Sequence, residues 1–255
     1  MKVFVVIAAF LLMSGCSVKE DRTDCPCRLV LDFRNIDTSV VSSLNLLAVM
    51  DGEPVFQDIV GSDAFDSEYI RYVPHGDVRI NIWAGAQESI VVRQGVVIPY
   101  GCECPPIFMH SFVADTRGES WHENVCMHKN HCRLTVQMDG VSEIPYSLTL
   151  KGNVDGYGLD GGPSTGDFSC VAYPGAEGES HVLLPRQRDA SLLLEVDDGT
   201  SALKTFAIGE YIVSSGYDWN AQDLADIAVT LDYYITDIRI SVQGWDKEYT
   251  YNITL

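Results

Sequence analysis

The chain has 255 residues, 46% of them hydrophobic, and a formal charge of −19 at pH 7. That apolar content excludes a disordered or fibrous chain, and the length is comfortable for two packed domains. The acidity excludes binding of nucleic acid or anionic lipid through the overall field, and its plain meaning is solubility outside the cell.

The N-terminus carries a single charge, Lys2, followed by an apolar run from Val3 to Met13. A bilayer span needs about 20 residues, so the run is too short to cross a membrane. Its length suits the hydrophobic region of a secretory signal peptide over residues 1–15. The run ends at Met13-Ser14-Gly15-Cys16, which reads as a lipobox with Met13 where Leu is usual. In such a motif the cysteine is acylated and becomes the first residue after cleavage. The alternative is an ordinary signal peptide that happens to contain a cysteine. Small residues at both preceding positions, and a polar run directly after, favour lipidation of Cys16 with palmitate-type acyl chains. Several such chains, at roughly 0.8 kcal/mol per buried CH₂, hold a soluble domain on a membrane.

Residues 16–23 form a charged tether that should stay solvated. Its Lys19-Glu20-Asp21 resembles the surface-export signals of Bacteroidetes lipoproteins. Cleavage leaves about 240 residues and removes Lys2, taking the charge to −20. Eight cysteines less Cys16 leave seven, at 25, 27, 102, 104, 126, 132 and 170. An exported compartment permits disulfides, and an odd number leaves at least one thiol unpaired within the chain.

Nearly every readable segment beyond residue 28 predicts a strand. Leu29, Leu31 and Phe33 alternate with Val30 and Asp32, the pattern of a half-buried strand. Leu44 to Met50 and Val55 to Val60 flank Asp51-Gly52, a strong hairpin signal. Asp63 to Tyr72 suggests a helical turn. Val78, Ile80 and Ile82 predict a strand closed by Trp83-Ala84-Gly85, and Ser89 to Tyr100 is β-branched. Residues 101–132 read as irregular. Leu134 to Met138 and Tyr146 to Leu150 alternate, and Gly152 to Gly166 reads as a mobile loop. Strand patterns return at Ser169 to Tyr173, His181 to Leu184, Leu192 to Val196, Leu203 to Ile208, Ile227 to Tyr233, Ile238 to Val242 and Tyr249 to Leu255. The single helix-like piece lies near Trp219 to Leu224. Many short strands with regular turns predict an all-β protein of two tandem β-sandwich domains, residues 24–128 and 129–255.

The densest chemistry is Cys102, Cys104, His110, His122, Cys126, His128, His131 and Cys132. Four thiolates could hold zinc, but the spacing fits no common zinc ribbon. Disulfides among Cys102, Cys104, Cys126 and Cys132 are the simpler account in an exported chain. We expect no metal and no cofactor. Gly152 to Gly166 lacks the Lys-Ser/Thr ending of a phosphate loop, and Asp155, Asp160 and Asp167 lack the spacing of a calcium loop. No catalytic Ser/His/Asp, G-x-S-x-G or H-E-x-x-H pattern occurs, so nothing argues for an enzyme. Tyr211, Tyr217, Trp219, Tyr233, Tyr234 and Trp245 could form a sugar platform, although core packing explains their spacing better.

These residues also carry a resemblance. The lipobox with Asp24-Cys25-Pro26, the Ile-Trp-Ala-Gly end of Val78 to Gly85, Gly209-Glu210-Tyr211-Ile212, Gly216-Tyr217-Asp218, Asp223 to Ile227, Leu231-Asp232-Tyr233 and Ile238 to Trp245 together resemble the FimB-like fimbrial anchor lipoproteins of Bacteroidales, the anchor subunits of type V pili. The resemblance implies transthyretin-like sandwiches, an outer-membrane lipid anchor, a place at the base of a fimbria, and no catalysis. Its implied partners are a fimbrial shaft subunit and the outer membrane, reached through the acyl chains. The implied role is anchoring, with a part in assembly or length control. A surface glycan-binding lipoprotein is the alternative. The C-terminal residues Tyr249, Tyr251, Ile253 and Leu255 run to the last position without a polar tail and are candidates for strand donation to a partner, unless they simply complete their own domain.

Anchoring through Cys16 has a direct test. Cys16→Ala is expected to release the protein, and any fimbria it holds, into the culture medium. Retention of the variant in the outer-membrane fraction contradicts it.

Overall fold

A computed structural model describes residues 25–85, 91–92, 95–139, 146–175, 178–197, 199, 204–232, 237–242 and 248–252. The leader, Cys16 and the tether lie outside the described residues, as do Tyr233, Tyr234, Trp245, Ile253 and Leu255.

The first strand, β1 (Cys27–Asp32), turns Leu29 and Leu31 inward, and Phe33 follows them into the same core. It sits between two partners in a three-stranded sheet, antiparallel to β4 (Glu68–Val73) and parallel to β9 (Ser120–Asn124). Facing it is a five-stranded sheet. There β2 (Ser43–Met50) and β3 (Glu53–Gly61) form the hairpin that Asp51-Gly52 predicts, with φ of 50° and 83° at the turn. The sheet continues through β5 (Asp77–Ala84), β8 (Phe108–Asp115) and β10 (His128–Lys129). Leu29, Leu31 and Val73 from one sheet meet Leu44, Ile80 and Ile82 from the other.

The second half repeats this connectivity. Strand β11 (His131–Asp139) lies antiparallel to β14 (Glu179–Pro185) and parallel to β17 (Ile227–Asp232), as β1 does to β4 and β9. The hairpin of β12 (Ser147–Gly158) and β13 (Pro163–Ala172) stands where β2 and β3 stood. Then β15 (Leu193–Asp197) and β16 (Lys204–Phe206) extend the sheet as β5 and β8 do. The unit is complete at β17. Two strands without a counterpart follow, β18 (Asp237–Val242) and β19 (Glu248–Asn252), adding an outer hairpin beside β17. A small hairpin from the first half, β6 (Val91–Val92) and β7 (Gly95–Val97), joins this sheet through the pairing of β7 with β12. The all-β class follows from these elements.

Four readings change. Asp63 to Tyr72 is helical only at its start, in a single turn over Ser62–Ala64, and then runs into β4. Residues 101–132 are not irregular throughout, since β8 and β9 lie there. Their alternation is blurred because β8 has apolar neighbours on both faces, Phe108 and Phe112 toward one core and Met109 toward another. Gly152 to Gly166 is not a loop but the heart of the β12–β13 hairpin. Its glycines permit close packing: a Cβ at Gly156 would fall on the carbonyl oxygen of Val96. The helix is α1 (Ile208–Ser214), not Trp219 to Leu224. Ile208 and Ile212, one turn apart, enter the core, and Gly209 lets the helix approach Ala190 and the Leu192 nitrogen too closely for any side chain.

Candidate functional site

The chain leaves β10 at Lys129 and enters β11 at His131, so Asn130 alone joins the two sheets. This residue is buried. Its N–H donates to Ile107 O (3.0 Å) and its side-chain amide donates to His128 O (3.1 Å). Its carbonyl accepts the Tyr157 hydroxyl, and its Oδ1 accepts Arg186 Nε at 3.1 Å. Every polar group of the crossing residue therefore has a partner, which burial demands. Burial also raises the Tyr157 phenol well above its usual range, so it stays a donor.

Arg186 ties the crossing to the segment after α1. Its guanidinium donates to Trp219 O and to Ala221 O (2.7 Å), while its backbone N–H donates to Tyr157 Oη (2.9 Å). Asp223 and Asp226 hold the flanks. Lys129 donates its N–H to Asp223 Oδ1 (2.7 Å) and its ammonium to Asp226 Oδ1 (2.5 Å); Arg133 N–H reaches the same Asp226 oxygen at 2.8 Å. His128 Nδ1 lies 3.3 Å from Asp223 Oδ2, and Leu224 N–H donates to Lys129 O. Partial burial of Asp226 pushes its pKa up, and these donors outweigh it, leaving the carboxyl below its usual range.

A third apolar cluster covers the junction. Leu47, Val49, Trp83, Ile107 and Met109 of the first half pack against Val96, Tyr157 and Leu159 around the β7–β12 pairing. The Asn81 amide donates to Leu159 O (2.5 Å) across the same contact. The outer face of the first five-stranded sheet is thereby covered by the second half. Chemically the arrangement is a fixed coupling, with donors and acceptors matched inside an apolar seal.

The structure disperses the Cys/His cluster. Cys126 is exposed beside the first half, where its carbonyl lies 3.0 Å from His110 Nδ1. His110 Nε2 faces Glu123 at 3.3 Å. His131 is buried against Ile107 O at 3.0 Å. Cys102 is exposed; Cys104 and Cys132 are buried in the second core with Cys170. No described cysteine is joined to another in this structure, and among the described residues no three His, Cys, Asp or Glu side chains group as a metal site. Tyr217 and Trp219 are buried, edge to face at 4.7 Å between ring centroids, and belong to the core. Tyr249 and Tyr251 lie in β19, opposite Ile240 and Ile238, at the edge of their sheet.

No protein-family profile and no curated protein matches the chain. Solved structures do. A candidate polysaccharide-binding protein from Bacteroides thetaiotaomicron aligns with TM-score 0.65 at 14% identity, over 89% of this chain and 98% of that one. A candidate adhesin from Bacteroides ovatus aligns at 0.61 and 12%, over 89% and 96%. The fimbrial anchor protein Mfa2 from Porphyromonas gingivalis aligns at 0.59 and 14%, over 87% and 98%. This chain has the fold of a Bacteroidales fimbrial anchor protein. In that fimbrial-anchor fold, Asp223 and Asp226 acquire a physical role here as clamps on the crossing segment. Both lie in the stretch Asp223 to Ile227 that carries the family resemblance. Lys129, Asn130, Tyr157 and Arg186 carry no local signal and were not singled out by the sequence.

The clamp gives a pH prediction. A carboxyl whose folded pKa is depressed adds stability above its unfolded value, about 3.9, and loses it as pH falls through the lower folded value. Asp226→Asn should therefore cost about 1–2 kcal/mol at pH 7 and narrow its gap from wild type in thermal melts below pH 4. An unchanged gap contradicts the clamp.

Proposed function

We propose that the protein is an outer-membrane lipoprotein that anchors a surface fimbria and acts in its assembly or length control. The observation that carries this reading is the match to the anchor protein Mfa2 over nearly its whole length, joined to a lipobox directly ahead of the first strand. The chain works as two β-sandwich units, residues 24–128 and 129–255, with β6 and β7 supplied by the first to the second. No catalytic step belongs to this reading.

Two features of the fold support it. The strand β1 is the middle strand of its sheet, bonded on both edges, with Leu29 and Leu31 fully buried. A cut at Arg22 or Arg28 would part β1 from Cys16 and release the protein from its membrane, so an anchor keeps its first strand, and no partner strand takes the place of β1 between β4 and β9. At the other end, β18 and β19 are additions to a unit already complete. In this reading a shaft subunit pairs by strand addition with β19, the last strand of its sheet among the described residues, backbone bonds giving affinity and alternate side chains specificity. The same terminal strand, Tyr249 to Leu255, is the segment we assign to donation.

The glycan-binding alternative has one observation of its own, the similarity to a candidate polysaccharide-binding protein. Tyr100 and Tyr173 are also exposed, at 72% and 73%. A glycan array separates the readings: a clear micromolar or tighter ligand favours the alternative.

Deleting Lys247 to Leu255 tests strand addition. The truncated chain is expected to fold and reach the membrane while no longer retaining fimbriae. Degradation of the variant, or undiminished retention of fimbriae, contradicts the assembly role.

A further inference from the structure

Each half has a seam where its two sheets end side by side. In the first half the seam lies between β3 and β4, and side chains close it: Asp58 accepts from Tyr69 Oη (2.9 Å) and pairs with Arg71. In the second half the corresponding strands are β13 and β14, and a strap from the first half crosses them. Ile98 N–H donates to Asp155 O on β12 (2.6 Å). Gly101 bridges Cys170 on β13, its N–H donating to Ser169 O at 2.8 Å. Cys104 N–H donates to Leu183 O on β14 (3.1 Å), and the Glu103 carboxylate accepts the Leu183 N–H. The strap thus occupies backbone groups on both sheets at the seam.

Three thiols lie beneath it. Cys104, Cys132 and Cys170 are 1%, 0% and 3% exposed and share one apolar core. We propose that Cys104 and Cys170 form a disulfide that fastens the strap across the seam. The strap bridges Cys170 through Gly101, three residues before Cys104. Cys132 is the poorer partner. It pairs with Leu184, so the whole of β14 separates it from the strap. Two strand spacings place such Cα atoms roughly 9–10 Å apart, beyond the approximately 7 Å a disulfide bridges. Cys102 is exposed in a turn closed by its own N–H to Pro99 O.

The bond forms while the chain folds. Burial first, then Glu103 and the Cys132 and Cys170 thiols, push the Cys104 thiol far up; burial and Glu103 push Cys170 up to about 12. Few thiolates exist once the core has closed, and the thiolate is the attacking species. In the step, one thiolate displaces a thiol from a disulfide oxidant, and the second thiol resolves the mixed disulfide. The two cysteines lose two protons and two electrons, and the oxidant is reduced to two thiols. In a cell this inference rests on the export reading, because it needs an oxidising compartment.

Refolding in vitro tests the bond independently of export. The chain is refolded in a glutathione redox buffer, alkylated under denaturing conditions, digested and analysed unreduced by mass spectrometry, with fragmentation that separates Cys102 from Cys104. A Cys104–Cys170 linked peptide is expected, retained in Cys132→Ser and lost in Cys170→Ser. A bond closing a loop of roughly 65 residues should raise the melting temperature by about 10 °C over the dithiothreitol-treated protein. Fully alkylated Cys104, a Cys104–Cys132 link, or equal melting temperatures overturn the proposal. If the link forms in vitro while protein from cells is reduced, the disulfide stands and the export reading fails.

Discussion

The satisfaction of Asn130 is the constraint on which the rest of this structure depends. One residue carries the chain from the last strand of one sheet to the first strand of another. It does so inside an apolar contact, where an unpaired amide would cost about 1–3 kcal/mol. Tyr157, Arg186 and the carbonyl of Ile107 remove that cost together. They come from the hairpin of β12, the strand end after β14 and the segment before β8. Placing Asn130 therefore places those elements, and with them the face formed by Trp83, Leu47 and Met109 against Tyr157 and Val96. That face would otherwise be an exposed apolar patch on the first sheet.

The repeated connectivity explains why the coupling takes this form. Two units of the same topology, laid end to end, could sit on a flexible linker. Here the first instead supplies the second with β6, β7 and the strap at 98–104, and the second covers an apolar face of the first. Asp223 and Asp226 add charge-assisted bonds at the flanks of the crossing, the stronger class of hydrogen bond. Such an arrangement transmits force from one half to the other without bending a linker.

Much of the strand layout was legible in the residues. Alternation at β1, β5 and β11 marks one buried face, and Asp51-Gly52 marks a turn that needs positive φ at both positions. The failures share a cause. Strand β8 has apolar contacts on both faces, so its period is hidden. The glycines of β12 look like loop punctuation but serve backbone approach. The helix α1 is too short for a periodic signal. At the junction, Asp223 and Asp226 sit in a stretch that the family resemblance marks. Arg186, Asn130 and Tyr157 do not, because their importance arises from partners 27 to 56 positions away.

Scanning calorimetry of the purified protein tests the coupling most directly. If the junction joins the halves as described, they unfold together. A single transition is then expected, with van't Hoff and calorimetric enthalpies equal, and Arg186→Ala should split or broaden it. Two resolved transitions in the unaltered chain would contradict the account.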